Sequence, residues 1–370
     1  MSAPGVLLDG AGPGGDGARM WQSLAQARLI APVYRGGDPG NGVDPLALGA
    51  LLAGVDEHAP IGVTLSVCVQ LASGLPLLAT GGPPAHELLD EVVGRGAVVA
   101  LAATDDNAGS DLTGLGTELA VDGEQLRVTG AKRWITNATH ADAFLVLART
   151  SAGRHFTSFT WVLVPAGAPG VQVSAADTDL FDGSGTGHVR FDQVRLSRAY
   201  LVGRVGRGLG MFARHIAVER LAGALWGVAL CRRVMADTKR RLQARAYRDQ
   251  TLWHRGSVRQ RFGECLVSVK QLDALTGQLG EAVAARHDAT AAALLKAGAA
   301  ATVERVLREC AHLQGADGFA LGGAQRLLGP GAIWGVGGGV TELVLETVAD
   351  SADTLLAGLT LGPPLSLARE

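Results

Sequence analysis

Two stretches of this 370-residue chain combine reactive groups with a spacing that could use them. In the turn TDDNAGSD, Thr104 to Asp111, the small residues Ala108, Gly109 and Ser110 leave backbone N–H groups and one hydroxyl able to approach a ligand closely. Further on, in GAKRWITNATHAD, Trp134 and Thr136 stand two apart on an expected strand and so project from one face. An aromatic plane beside a hydroxyl suits a flat, hydrogen-bonding cofactor ring, and the same spacing suits a surface hairpin with a core Trp. The second stretch is Ile216 to Cys231, where Glu219 and Arg220 are the only ionisable side chains besides the terminal cysteine. A carboxylate on so apolar a helix is either desolvated, with the raised pKa that a general base at a carbon acid needs, or held in a structural ion pair.

The elements that must position these residues change character twice. From Ala18 to Arg95 apolar residues recur at helical spacing, broken by loops such as GGDPGNG, and a helix is predicted from Asp44 to Glu57. The following run, Val63 to Leu78, is apolar on nearly all sides and reads as buried; Gly74, Pro76 and its polar residues leave it short of a membrane span. Between Ala97 and Leu201 the period becomes two, with short strands in VVALAAT, ELAVDGEQLRVTG, AFLVLART, FTWVLVP, VQVS and HVRFDQVRL, the pattern of an antiparallel sheet or barrel. GSGTG at Gly183 to Gly187 has no preceding parallel strand or following helix and reads as an ordinary loop. Helices of bundle length return at Met211 to Leu242, Arg259 to Arg286 and Ala289 to Leu313, with a further one at Thr341 to Leu356.

Length predicts two or three cooperating sub-domains. Residues are 47% hydrophobic and 18% charged, and a net charge of −2 offers no bulk attraction to nucleic acid or to an anionic membrane. Cys68, Cys231, Cys265 and Cys310 are far apart, show no metal-ligand spacing and read as buried free thiols. The N-terminus lacks a basic segment leading into an apolar one, so no signal peptide is read and a cytoplasmic location is expected.

TDDNAGSD and GAKRWITNATHAD resemble, residue by residue, the two flavin-side signatures of the acyl-CoA dehydrogenases. The resemblance implies FAD, contacted by Leu101, Ala103, Thr104, Gly109, Ser110, Trp134 and Thr136. It also implies an α+β multidomain fold: a helical N-terminal domain over residues 1–97, a central antiparallel β domain over 98–205 and a C-terminal four-helix bundle over 206–370. Most members of that family carry their catalytic base as a Glu in a loop before the final helix, a position that is Gly338 here. A minority branch takes the base from an E-R-L on a preceding bundle helix, matched by Glu219-Arg220-Leu221. By that resemblance Glu219 is the base, Gly338 donates its backbone N–H to the thioester oxygen, and Arg220 touches substrate.

The departures lie on the substrate and subunit-contact sides. Glu-Pro after the first Thr becomes Asp105-Asp106, and the usual Gln-Ile-Leu-Gly-Gly-x-Gly becomes His312 to Gly318. Arg245 aligns with the Arg that reaches a neighbouring subunit's FAD phosphates, but its usual Phe-Gly sequel is Arg248-Asp249. The implied assembly is a homodimer or homotetramer. The profile resembles the divergent branch from polyketide clusters that makes hydroxymalonyl and methoxymalonyl extender units. It implies dehydrogenation of a short polar, 3-hydroxyacyl thioester on an acyl carrier protein or CoA, with electrons passed to an acceptor flavoprotein or oxygen. A flavin monooxygenase or oxidase on the same fold, and a non-catalytic binding partner, stand as alternatives.

Overall fold

The computed structural model describes residues 16–359 except 107, 110 and 154, so the stretch read for a leader and Ser110 lie outside the described residues. The chain opens with α1 (Gly17–Gln26), whose first turn is capped by the Asp16 carboxylate accepting from the Ala18 N–H at 2.9 Å. Next comes α2 (Pro45–His58), with Asp44 as its cap and Pro45 in the first turn, where a missing N–H costs nothing. Then α3 (Ile61–Val69) runs through a π-helical turn, Gln70–Gly74, into α4 (Leu75–Leu78), followed by α5 (Pro83–Gly94).

The rod from Ile61 to Leu78 corrects an expectation. Gly74 and Pro76 do not break it: the π turn absorbs an extra residue and places Pro76 in the first turn of α4. With 18 residues and a mean hydropathy of 1.8 it is long and apolar enough to cross a membrane, yet 83% of it is buried inside this fold. A second stretch, Ala324–Asp350, also passes that test by composition, but it is a chain of short helices.

The middle of the chain forms β1 (Val99–Ala102), β2 (Glu118–Asp122), β3 (Gln125–Ile135), β4 (Ala143–Arg149), β5 (Phe159–Pro165), β6 (Val171–Ala175), β7 (Gly187–Ser197) and β8 (Leu201–Val202). Their order is β6-β7-β3-β2-β4-β5-β8, with β1 also against β4. The sheet is mixed where an antiparallel one is expected, because β1 and β2 both pair with β4 in parallel. A period-two pattern reports which face is buried and carries no information on strand direction. β4 and β5 are apolar at all but Arg149 and Thr160 because both faces are covered. Leu145, Leu147, Trp161 and Leu163 join the helices in one core, while Phe144, Val146, Val162 and Val164 join Val128, Phe191 and Val194 from the other half of the sheet in a second.

The last third is α6 (Gly208–Ala244), a two-residue hairpin β9 (Ala246–Tyr247) and β10 (Gln250–Thr251), then α7 (Gly256–Arg286) and α8 (Ala289–Gln314). His287 in the left-handed region ends α7, and the Asp288 carboxylate caps α8 one residue later. Two short helices, α9 (Leu328–Gly331) and α10 (Ile333–Val336), precede α11 (Thr341–Asp350) and α12 (Ala352–Ala357), so the fourth bundle helix is interrupted at Ser351.

A buried carboxylate ties the two helical regions together. Asp56 on α2 is 2% exposed and accepts from Trp226 Nε1 at 3.0 Å, and from Arg233 Nε at 2.7 Å and Nη2 at 3.2 Å, both donors being on α6. Removing it leaves an indole N–H and a half-buried guanidinium without an acceptor. Asp56→Ala is expected to lower stability by about 2–4 kcal/mol, read from the chemical denaturation midpoint at unchanged slope.

Candidate active site

The loop after β1 is fixed from beneath by a buried ion pair. Lys132 on β3 has no solvent exposure; its Nζ donates to the Ala103 carbonyl at 2.9 Å and lies 3.9 Å from Asp105 Oδ2. Burial pulls the lysine pKa down to about 7, against the opposing pull of Asp105. The Asp105 carboxylate also accepts from the Gly116 N–H at 2.8 Å and the Thr117 N–H at 3.1 Å, so it is committed to the scaffold. Asp106 makes an exposed pair with Arg133 at 2.9 Å. Thr104 Oγ1 donates to the Arg133 carbonyl at 2.8 Å, which stitches the loop to β3.

Trp134 and Thr136 border the same cleft, but not through strand alternation. Thr136 lies in the turn beyond β3, and Trp134 sits where the β3–β7 register slips between Lys132 and Ile135, with φ +56°. A bulky residue in the left-handed region costs about 1–3 kcal/mol and collects at functional sites. Here it turns the indole outward, the residue 54% exposed, while the Trp134 backbone N–H donates to His188 Nδ1 at 3.2 Å and the two rings meet edge to face.

The cleft has a volume of about 470 Å³ and is also lined by Leu101, Ala103, Thr104 and Gly109, so six of the seven expected flavin contacts share it; Ser110 is outside the described residues. A Cβ added at Gly109 would meet nothing within 4 Å, so the backbone there faces open space. An outward indole, a threonine and a bare glycine backbone around a cavity of this size fit a planar isoalloxazine with hydrogen-bonding edges.

The opposite wall comes from the helices. Glu219, in the first third of α6, borders both the cleft and a narrower chamber of about 60 Å³ that runs into the helical bundle. Its Oε2 accepts from Ser73 Oγ at 2.8 Å, and that serine belongs to the π turn. Burial raises the Glu219 pKa, against smaller lowering effects of the Ser73 hydrogen bond and the Arg220 charge. The adjacent Arg220 turns elsewhere: its Nε donates to the Gly338 carbonyl at 2.9 Å. A structural Glu219–Arg220 pair is therefore not what holds the carboxylate.

Gly338, at φ +72°, and Gly339, at φ +101°, adopt backbone that favours glycine. A Cβ at 338 would lie 3.5 Å from Arg220 Cγ and 3.8 Å from Lys296 Cε. Side chains of α6 and α8 thus stand close to where a side chain at 338 would begin. Trp334 closes the chamber, packed on Trp226 with ring centroids 4.2 Å apart and donating Nε1 to the Gly223 carbonyl at 2.8 Å. Arg245 lines neither cavity: it follows α6, 51% exposed, with Nη1 3.8 Å from the Asp317 carboxylate. The four cysteines are buried and free, and GSGTG forms the loop before β7. Glu342 and Glu346 are exposed on α11.

Two site residues have no counterpart in the sequence reading. Ser73 is a small polar residue inside an apolar run, where nothing in the pattern reports a π turn. Lys296 is the lone charge in AAALLKAGAAA, a signal that was present and would have pointed to a buried cation.

A flavin-sized cleft between a mixed sheet and a helical bundle, with a desolvated carboxylate facing it, defines a flavoenzyme that handles carbon acids. The chain belongs to the acyl-CoA dehydrogenase family: residues 100–194 match its middle domain and 206–352 its C-terminal domain. It is 30% identical to the acyl-[acyl-carrier-protein] dehydrogenase MbtN of Mycobacterium bovis over 71% of this chain and 69% of that protein. Among solved structures it is similar to a glutaryl-CoA dehydrogenase from Mycobacterium smegmatis in complex with FADH2 (TM-score 0.83, 20% identity, 91% and 86% of the two chains). It is equally similar to the prolyl acyl carrier protein oxidase AnaB (TM-score 0.82, 20% identity, 91% of each chain). The protein is an FAD-dependent oxidoreductase acting on CH–CH groups of acyl thioesters.

Proposed function

We propose that this enzyme dehydrogenates a short, polar acyl thioester, a 3-hydroxyacyl group carried by an acyl carrier protein, and that Glu219 takes the α-proton. The observation that carries this reading is the place of Glu219, at the junction of cleft and chamber and held, among the described residues, by a single hydroxyl donor. Leu101, Ala103, Thr104, Gly109, Ser110, Trp134 and Thr136 hold the flavin, which when bound supplies the acceptor for the β-hydride. The Gly338 N–H donates to the thioester oxygen, and its orientation is steadied by the bond from Arg220 to the Gly338 carbonyl. Loss of the α-proton and β-hydride from a 3-hydroxyacyl group gives an enol that tautomerises to a 3-oxoacyl group. The small chamber supports a short acyl chain.

The carrier protein is favoured over CoA by the relative whose name specifies an acyl-[acyl-carrier-protein] substrate. The same reading places the enzyme in extender-unit supply for polyketides, in the cytoplasm, as a homo-oligomer in which Arg245 reaches the partner's FAD, with an acceptor flavoprotein or oxygen receiving the electrons. Mass spectrometry after anaerobic incubation of the yellow protein with 3-hydroxypropionyl groups on carrier protein and on CoA tests it. The carrier-bound thioester should lose two hydrogens as the flavin bleaches; unchanged mass on both carriers contradicts the reading.

Glu219→Gln separates a base from a structural ion. A carboxylate whose pKa is raised on folding favours the fold most when protonated, and that advantage fades as pH rises from its unfolded value through the raised one. The amide removes this penalty at neutral pH, so the variant should melt higher at pH 7 while flavin bleaching falls by about 10³-fold or more. A lower melting midpoint with bleaching intact would mark a structural role. For Ser73→Ala, loss of the hydrogen bond that lowers the Glu219 pKa should move the acid limb of the bleaching-rate profile to higher pH. An unchanged limb would mean that Ser73 does not tune the base.

A further inference from the structure

The chamber beyond Glu219 is lined by Leu65, Val69, Ala224, Ala299 and Ile333, yet two cations, Arg220 and Lys296, also reach it. Lys296 on α8 is 4% exposed. Its Nζ donates to the carbonyl of Trp334, a neutral acceptor, and among the described residues it makes no ion pair within 4.0 Å. An ammonium carries three N–H donors, and a buried one left short of acceptors is costly. Burial and the nearby Arg220 draw its pKa down to about 8, with Glu342 opposing them, so it keeps its charge at neutral pH.

Position gives the remaining donors a use. The Lys296 Cε carbon lies 3.8 Å from where a Cβ on Gly338 would stand, and Gly338 borders both cleft and chamber. A thioester held at the Gly338 N–H would bring its first acyl carbons within reach of this side chain. The chamber is lined by two cations and the Glu219 carboxylate, an arrangement that would suit an added oxygen on an entering acyl chain and would waste hydrogen-bonding capacity on a plain alkyl one.

We propose that Lys296 is a specificity-determining residue that donates a hydrogen bond to the β-hydroxyl of the acyl group. The inference rests on the dehydrogenase reading above and names what selects its substrate. A hydroxyl that accepts from Lys296 has its carbon fixed relative to the flavin cleft, and an alkyl chain in the same place leaves the ammonium without that acceptor. A site built to hydrogen-bond a hydroxyl discriminates strongly against the analogue that lacks it.

The test uses 3-hydroxypropionyl and propionyl pantetheine thioesters with the FAD-loaded enzyme, following anaerobic flavin bleaching in the unaltered protein, Lys296→Met and Lys296→Gln. The unaltered protein should favour the hydroxyacyl thioester by on the order of 10²-fold in kcat/KM. Lys296→Met should lose that preference, with the hydroxyacyl value falling on the order of 10²-fold and the propionyl value moving less than about threefold. Lys296→Gln, which keeps a neutral donor, should recover part of the preference. FAD content and melting midpoint report on the Trp334 contact separately. Equal losses with both thioesters would make Lys296 a support for Trp334 or a donor to the thioester carbonyl, and would overturn the inference while leaving the dehydrogenase reading standing. No bleaching with either acyl group in the unaltered protein, on pantetheine and on carrier protein alike, would overturn both.

Discussion

A carboxylate placed in an apolar stretch of α6, with one hydroxyl among the described residues donating to it, is the constraint around which the site is organised. Glu219 is desolvated by the bundle, and its neighbour in sequence does not neutralise it, because Arg220 is bonded to the Gly338 carbonyl. The balance of burial against one Ser73 hydrogen bond leaves a carboxylate that is protonated more easily than a solvated glutamate. That is the property a proton abstraction from carbon requires, and it comes at a cost to stability that a purely structural helix would not carry.

The scaffold supplies the geometry from three separate places. The π turn at Gln70–Gly74 advances Ser73 onto the carboxylate, and the Gln70 side chain accepts the Val99 N–H at 3.1 Å, tying the same turn to β1. From β1 the chain passes directly to Ala103 and Thr104, which Lys132 and Arg133 hold in place. One rigid path thus links the hydroxyl on the helix side to the loop on the sheet side. Asp105 is part of that path, its carboxylate turned to Lys132 and two backbone N–H groups.

Much of this was legible in the residues. Helix spacing located α2, α6, α7 and α8 to within a few positions, and the period-two segments located the strands, since both patterns report directly on which side chains face a core. Glu219 stood out because it is one of only two charged side chains in the sixteen positions from Ile216 to Cys231, which leaves few explanations. The rest was hidden for physical reasons. Parallel pairing of β1 with β4 depends on chain path; the outward turn of Trp134 depends on a register slip and a positive φ; continuity of the rod across Gly74 and Pro76 depends on a π turn. None of these alters a hydrophobic period. Lys296 was visible as a lone charge, but its meaning came only from Gly338, forty-two positions away, and the carbonyl of Trp334.

The most direct measurement is whether Glu219 removes a proton from carbon when hydride loss is blocked. A 3-thiaacyl thioester, with sulfur in place of the β-carbon, can lose its α-proton and go no further, and its enolate gives a long-wavelength charge-transfer band against oxidised flavin. The band should form with the unaltered enzyme, grow as pH rises through the Glu219 pKa, and be absent in Glu219→Gln even when the thioester is bound at saturation. A band of equal intensity in the variant would show that the proton leaves by another route.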